Sequence, residues 1–141
     1  MNQDVWEKLR AQFERFPVMR GEPASRAAVD EASQRLGLSF PSDYREFLER
    51  YGAGLVGAFP VFGLSSVEAM GDESVVDVNQ RFRSDHWPGV EGWLILSEDH
   101  AGNPIGADAD GRIWISDHGR VELLADSFEA FILRSHDLSR G

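Results

Sequence analysis

All four histidines of this 141-residue chain lie next to an aspartate, which is the first pattern that could carry chemistry. The pairs are Asp85–His86, Asp99–His100, Asp117–His118 and His136–Asp137. A metal-binding histidine commonly donates its other ring N–H to a carboxylate, so the pairs could indicate a metal-dependent hydrolase. Adjacent residues of a strand point to opposite faces, however, and the chain has no HxH or HExxH motif and no cysteine. Turn and surface positions are the favoured interpretation, and the hydrolase is kept as an alternative.

The segment from Gly52 to Gly57 matches the dinucleotide-binding pattern GxGxxG. That site needs a strand before the glycines and a helix after them, because the helix N-terminus binds the pyrophosphate. In this chain the segment follows a predicted helix, and Phe59-Pro60 comes soon after it with no helical continuation. The motif therefore predicts the end of a helix and a loop, and no cofactor.

The sequence Asp108-Ala109-Asp110-Gly111 resembles the start of a calcium-binding EF-hand loop. Arg112 and Ile113 then occupy the positions where that loop needs an oxygen ligand and a glycine. The Asp110-Gly111 dipeptide instead predicts a β-hairpin turn. Since there is also no GxSxG nucleophile motif, we predict no catalytic, cofactor-binding or metal-binding residue and a protein that is not an enzyme.

The acidic character of the chain is concentrated in its second part. Twenty-four acidic and fourteen basic residues give a net charge of −10. Residues 1–50 hold nine acidic and eight basic side chains, net −1, whereas residues 51–141 hold fifteen and six, net −9. Proteins that bind nucleic acid or anionic membranes need basic patches, so neither partner is expected. No targeting or membrane-spanning segment is recognised, which predicts a cytoplasmic location.

Apolar residues at helical spacing predict three helices in the first fifty residues. The first is expected to be capped near Asp4 and to end at Pro17, the second to run from Pro23 to about Leu36, and the third to start at Pro41 and close at Gly52. The buried stripe predicted for the first helix consists of Val5, Trp6, Leu9, Phe13 and Phe16.

The remaining residues predict a sheet followed by one helix. Residues 55–62 suggest a single edge or bulged strand, and a helix is expected within 66–84. Four further strands are predicted at 93–96, 103–107, 112–116 and 120–124, with Asp126 and Glu129 capping a final helix. Helices, then an antiparallel sheet, then a helix indicate a single α+β domain over residues 1–141.

Trp87 lies in a turn-rich loop between residues 84 and 92. A tryptophan in such a position can be the anchor of a protein interface, or it can fold back as a lid on the core. Both interpretations stay open here, and the lid is favoured.

Several motifs, in order along the chain, resemble one known family. The run Leu36-Gly37-Leu38-Ser39-Phe40-Pro41-Ser42-Asp43-Tyr44-Arg45-Glu46-Phe47-Leu48 is similar to the LG…LP-x-x-Y-x-x-F-L signature of the SUKH superfamily. Phe62-Gly63-Leu64 and the stretch from Leu124 to Ile132 resemble its FGL step and closing helix. The resemblance covers about residues 24–135. The superfamily includes fungal Smi/Knr cell-wall-synthesis regulators and bacterial immunity proteins.

The resemblance implies helices packed around a mixed, mainly antiparallel sheet, without catalysis. It also implies a protein-binding role, because many bacterial members bind and neutralise secreted polymorphic toxins. With the acidic excess, this predicts an immunity protein for a basic, nucleic-acid-targeting toxin. A regulatory or scaffold adaptor in a housekeeping complex is the main alternative, and the sequence does not predict the oligomeric state. The expected partner contacts lie in loops at strand ends: Asp85, Trp87, Glu98, Asp99, Asp108, Asp110 and Asp117.

Overall fold

The computed structural model describes residues 1–138. Along the chain it contains α1 (Gln3–Arg15), a short 3-10 turn (Pro17–Met19), α2 (Arg26–Leu36), α3 (Ser42–Tyr51), β1 (Gly54–Val56), β2 (Phe59–Val61), α4 (Val75–Ser84), β3 (Leu94–Glu98), β4 (Pro104–Ala107), β5 (Ile113–Asp117), β6 (Arg120–Ala125) and α5 (Phe128–Leu138). The predicted α+β class is confirmed. The expected mixed sheet is not found in this part of the chain, since all of its strands pair antiparallel.

Two helix starts of the first fifty residues differ from the prediction. Asn2, not Asp4, caps α1, because the Asn2 side chain accepts the Asp4 backbone N–H. Ser25 caps α2 by accepting the Ala28 N–H, so the helix begins three residues after Pro23. Helix α3 begins after Pro41 and closes at Gly52 as predicted.

The predicted stripe of α1 is correct except at its end. Four of its residues are buried, whereas Phe16 lies beyond the helix and is 43% exposed. The buried residues of α1 join one hydrophobic core with α3, α4, α5 and the sheet. Phe47 and Phe128 are fully buried at its centre, with ring centroids 5.7 Å apart.

Residues 55–62 form two strands instead of the single strand expected. Gly57 has a positive φ of 59° and reverses the chain between β1 and β2. A glycine adopts this conformation without steric cost, so Gly57 allows the chain to reverse within a short turn.

The strands β3, β4, β5 and β6 form one sheet in chain order. The two-residue turn between β5 and β6 has positive φ at both His118 (54°) and Gly119 (97°), as a type I′ turn requires. At the Asp110-Gly111 dipeptide only Gly111 has positive φ, so that hairpin uses a longer turn instead.

The predicted cap of α5 was wrong by one residue. Ser127 accepts the Ala130 N–H, and Asp126 precedes this cap. Glu129 does not complete a capping box, because its carboxylate accepts the Asn2 N–H from the start of the chain.

Candidate functional site

The residues expected to contact a partner lie at two opposite ends of the four-stranded sheet. In an antiparallel sheet with strands in chain order, consecutive turns alternate between the ends. The turns after β3 and after β5 therefore share one end, called the Asp99 end, which holds Glu98, Asp99 and Asp117. The turn after β4, with Asp108 and Asp110, lies at the other, called the Asp108 end.

Asp99 and Asp108 occupy the same position in two turns of the same design. The Asp99 Oδ1 accepts the N–H groups of Ala101 (3.0 Å) and Asn103 (2.8 Å), two and four residues later. Asp108 Oδ1 accepts the N–H groups of Asp110 (2.9 Å) and Arg112 (3.0 Å) at the same offsets. Both carboxylates thus stabilise the local chain reversal.

A glycine completes each of these turns. Gly102 and Gly111 have φ values of 82° and 83°, and their N–H groups donate to the carbonyls of Asp99 and Asp108, respectively. The pattern Asp-x-x-Gly is the sequence signal for both turns, although the Asp110-Gly111 dipeptide had suggested a shorter turn at the second.

Asp108 has a further partner, since its Oδ2 accepts the Trp114 Nε1–H at 2.8 Å. Burial raises the pKa of Asp108, but the hydrogen bonds from Trp114 and from the backbone of Arg112 and Asp110, with the Arg112 charge, outweigh it. The net result is a pKa below the ordinary aspartate value, so this carboxylate is ionised at neutral pH.

A cleft of about 490 Å³ opens at the Asp108 end. It lies between the start of α3, the turn after β4 and the start of α5, and we call it the acidic cleft. Five carboxylates line it: Asp43, Asp108, Asp110, Asp126 and Glu129. Sequence reasoning included only Asp108 and Asp110, since the other three are helix-start residues that carry no separate signal.

Internal hydrogen bonds hold the three newly identified carboxylates to different extents. Asp43 accepts the Tyr44 N–H (2.9 Å) and, across 86 positions of sequence, the Glu129 N–H (3.0 Å), which joins the starts of α3 and α5. Glu129 accepts the Asn2 N–H at 2.9 Å. Asp126 is exposed.

Asp110 is the most accessible of the carboxylates at the turn after β4. Its side chain is 79% exposed, and Oδ2 lies 3.8 Å from Arg112 Nη1. Asp110 and Asp126 are therefore available to a cationic group of a partner, while Asp43, Asp108 and Glu129 add negative potential around them.

At the Asp99 end, Glu98 has a cationic neighbour. Arg81 Nε lies 2.8 Å from Glu73, and Arg81 Nη2 lies 3.6 Å from Glu98. The hydrogen bond to Glu73 is the largest cause of a raised pKa at Arg81, which stays charged. Asp117 Oδ1 lies 2.9 Å from Nδ1 of His118.

The loop after α4 carries Asp85 and Trp87 towards the turn after β5. Asp85 is exposed directly after α4, where its backbone N–H donates to the Arg81 carbonyl. Trp87 is half-buried; Nε1 donates to the Ser116 carbonyl at 3.0 Å, and the ring lies 5.4 Å from Phe82 at 87°. These contacts correspond to the lid interpretation of Trp87, and its contact with a partner stays a prediction.

Residues 52–57 have the reverse of the architecture that binds dinucleotides. Helix α3 precedes the glycines and the β1–β2 hairpin follows, so no helix N-terminus faces them. Among the described side chains, those of residues 1–136, no three His, Asp or Glu side chains are grouped so that they could hold a metal ion. The side chain of Asp137, from the fourth His–Asp pair, lies outside the described part.

One comparison of the chain with known protein families gives a match. A family model described as the SMI1 / KNR4 family (SUKH-1) matches residues 23–134, and no curated protein sequence matches the chain. Within the described residues, no helix has the length and apolar character needed to cross a membrane.

Proposed function

From the chain's membership of the SMI1 / KNR4 family (SUKH-1), we infer that it is a non-catalytic protein-binding domain and propose that it is an immunity protein. Its partner would be a cognate polymorphic toxin with a basic surface, of the kind that acts on nucleic acid. The family match supports the domain class and an association with protein–protein interaction.

The acidic cleft is the observation that carries this proposal. Five carboxylates converge on about 490 Å³, which is room for one or two basic side chains of a partner. The hydrogen bonds to Asp43, Asp108 and Glu129 hold these carboxylates in place before binding, so ordering them costs little further entropy. A basic toxin would be attracted by this potential and oriented by the fixed carboxylates.

The net charge of −9 on residues 51–141 supports the same partner chemistry. Long-range attraction between an acidic and a basic protein increases the association rate and weakens as salt screens the charges. A basic toxin should therefore bind less tightly as ionic strength rises.

The direct test is binding of the toxin domain encoded beside this gene, measured by titration calorimetry at two salt concentrations. The double variant Asp110→Lys/Asp126→Lys reverses the two most accessible charges of the cleft and should weaken binding by at least about 10-fold. Glu31→Lys/Glu68→Lys is the matched control, because it makes the same change in net charge at exposed positions that do not line the cleft.

Equal effects of the two double variants would show that the cleft is not the contact surface. If no adjacent gene encodes a toxin and the partner recovered belongs to a housekeeping complex, the adaptor alternative replaces the immunity role.

A further inference from the structure

The two outer edges of the four-stranded sheet differ in what covers them. At the β3 edge, Asn79 of α4 forms hydrogen bonds with both the N–H and the C=O of Ile95, and the Leu96 carbonyl accepts the Phe62 N–H at 2.8 Å. At the β6 edge, β5 is the only paired strand in the described part of the chain. An open strand edge has unpaired N–H and C=O groups that can form hydrogen bonds with another strand. β6 is therefore the edge of this sheet that is available for pairing.

The turn between β5 and β6 determines which backbone groups of β6 are open. A two-residue type I′ turn places Asp117 and Arg120 in a hydrogen-bonded pair. Bonded and non-bonded pairs alternate along an antiparallel ladder, so the N–H and C=O groups of Val121 and Leu123 point away from β5. At the next residue the edge is closed, because Arg134 Nη1 donates to the Leu124 carbonyl at 2.7 Å. The open stretch is thus Arg120–Leu123.

The side chains of this open stretch alternate between apolar and charged. Val121 and Leu123 are each 43% exposed, two of the most exposed large apolar side chains among those described in residues 1–136. They pair with Ser116 and Trp114, respectively, and so share one face of the sheet. Arg120 and Glu122 lie on the other face, and neither forms an ion pair within the described residues.

We propose that β6 pairs with β6 of a second copy of this chain, antiparallel and with Val121 opposite Val121 of the second copy. The two-fold relation then places the Arg120 of each copy opposite the Glu122 of the other, which gives two such pairs. Opposite charges directly across a strand pair are stabilising. Moving the register by two residues would place Glu122 opposite Glu122 of the second copy, which is repulsive.

This arrangement makes the pairing self-limiting. An isologous two-fold contact uses the same edge of both copies, so it closes after two chains and covers the exposed valines. The pairing is centred near the β5–β6 turn, at the Asp99 end, whereas the acidic cleft lies at the Asp108 end. The dimer therefore does not depend on the proposed toxin binding.

Single cysteines test the register, because the natural chain has none and any disulfide must join two copies. Val121 and its copy would have Cα atoms about 5.5 Å apart, within the range for a disulfide of about 4.4–6.8 Å. Leu123 and its copy would be offset by four residues, about 13 Å along the strand. Val121→Cys should therefore crosslink under mild oxidation at least about 10-fold faster than Leu123→Cys, which has equal exposure. Equal rates, a faster Leu123→Cys or no crosslink in either variant would overturn the proposal.

A charge exchange tests the same dimer without a covalent bond. Sedimentation equilibrium on the natural chain should show a monomer–dimer equilibrium, and Arg120→Glu and Glu122→Arg should each weaken it by about 3- to 10-fold. The double variant Arg120→Glu/Glu122→Arg should restore it, because the opposite charges then face each other again. The two single variants change net charge in opposite directions, so an effect of net charge alone would give opposite results. A monomer at all concentrations, or no recovery in the double variant, would refute the pairing.

Discussion

The side chain of Asn79 and the backbone of Ile95 form two hydrogen bonds, each 2.8 Å long. Asn79 Nδ2 donates to the Ile95 carbonyl and Asn79 Oδ1 accepts the Ile95 N–H, so the amide takes the place of a neighbouring strand. Asn79 Nδ2 also donates to the Val75 carbonyl of its own helix, and the residue is 1% exposed. One side chain thus links α4 to the sheet and covers the β3 edge.

Replacing Asn79 with alanine should lower the free energy of unfolding by about 2–3 kcal/mol. The loss follows because the N–H and C=O of Ile95 would stay buried without a partner. Urea unfolding followed by circular dichroism measures it. Gln80→Ala, at the next and exposed position of α4, is the control and should change stability by less than about 0.5 kcal/mol. Similar effects of both substitutions would contradict the role given to the buried amide.

Asp99→Ala and Asp108→Ala should each destabilise the fold by about 1 kcal/mol, since each removes a carboxylate that accepts two backbone N–H groups of a turn. Asp110→Ala should have little effect because that side chain is 79% exposed. Thermal unfolding of the three variants at neutral pH compares them. If Asp110→Ala were the most damaging of the three, the assignment of turn roles would fail.

The stabilising charge of Asp108 should be lost in acid. Its pKa is lower in the folded than in the unfolded chain, so the contribution is fully present above the ordinary aspartate value of about 3.9. It declines as pH falls from there through the lower folded value. The difference in stability between the natural chain and Asp108→Asn, from urea unfolding at pH 7 down to pH 2, should therefore shrink at the acid end. A difference that grows on acidification would reverse this sign.

Tyr44 should make the fold sensitive to alkali. Its hydroxyl donates to the Phe62 carbonyl and is fully buried, and burial raises its pKa above the ordinary tyrosine value. The unfolded chain ionises this residue above about pH 10 and the folded chain does not, so stability falls there by about 1.4 kcal/mol per pH unit. Tyr44→Phe should give a shallower fall in urea unfolding between pH 9 and 11. Burial also raises the pKa of Tyr51. Because Tyr51 is present in both proteins, its contribution to the pH dependence cancels in the comparison. Parallel pH profiles would disprove the prediction.

Gly63→Ala should be among the most destabilising single-methyl changes in the chain. A Cβ at Gly63 would lie 1.8 Å from the Gly52 carbonyl oxygen, so two backbone segments would have to separate. We expect a loss of about 2–4 kcal/mol in chemical unfolding. Gly37→Ala is the comparison: it has a positive φ of 67° but open space around it, so its cost should be about 1 kcal/mol. A smaller loss for Gly63→Ala than for Gly37→Ala would argue against this close approach.

Features that depend on a few neighbouring residues were predictable. Apolar residues at helical spacing predicted α3, and the predicted ends of α2 near Leu36 and of α3 at Gly52 are correct. The wrong local predictions concern helix caps, where a neighbouring side chain forms the capping hydrogen bond in place of the predicted one. Ser127 has a hydroxyl that reaches the Ala130 N–H, and it replaced Asp126 as the cap of α5.

The sequence by itself determined the α+β class, the family, the acidic charge and the Asp-x-x-Gly turns, because each depends on residue types or on contacts within about five positions. Only the tertiary structure decided that Asp43 and Glu129, 86 positions apart, meet beside Asp108 in one cleft. It also decided that Asn79 covers one edge of the sheet while Val121 stays open at the other. These arrangements arise from the packing of distant helices and strands around one core, and the spacing of residues along the chain does not encode them locally.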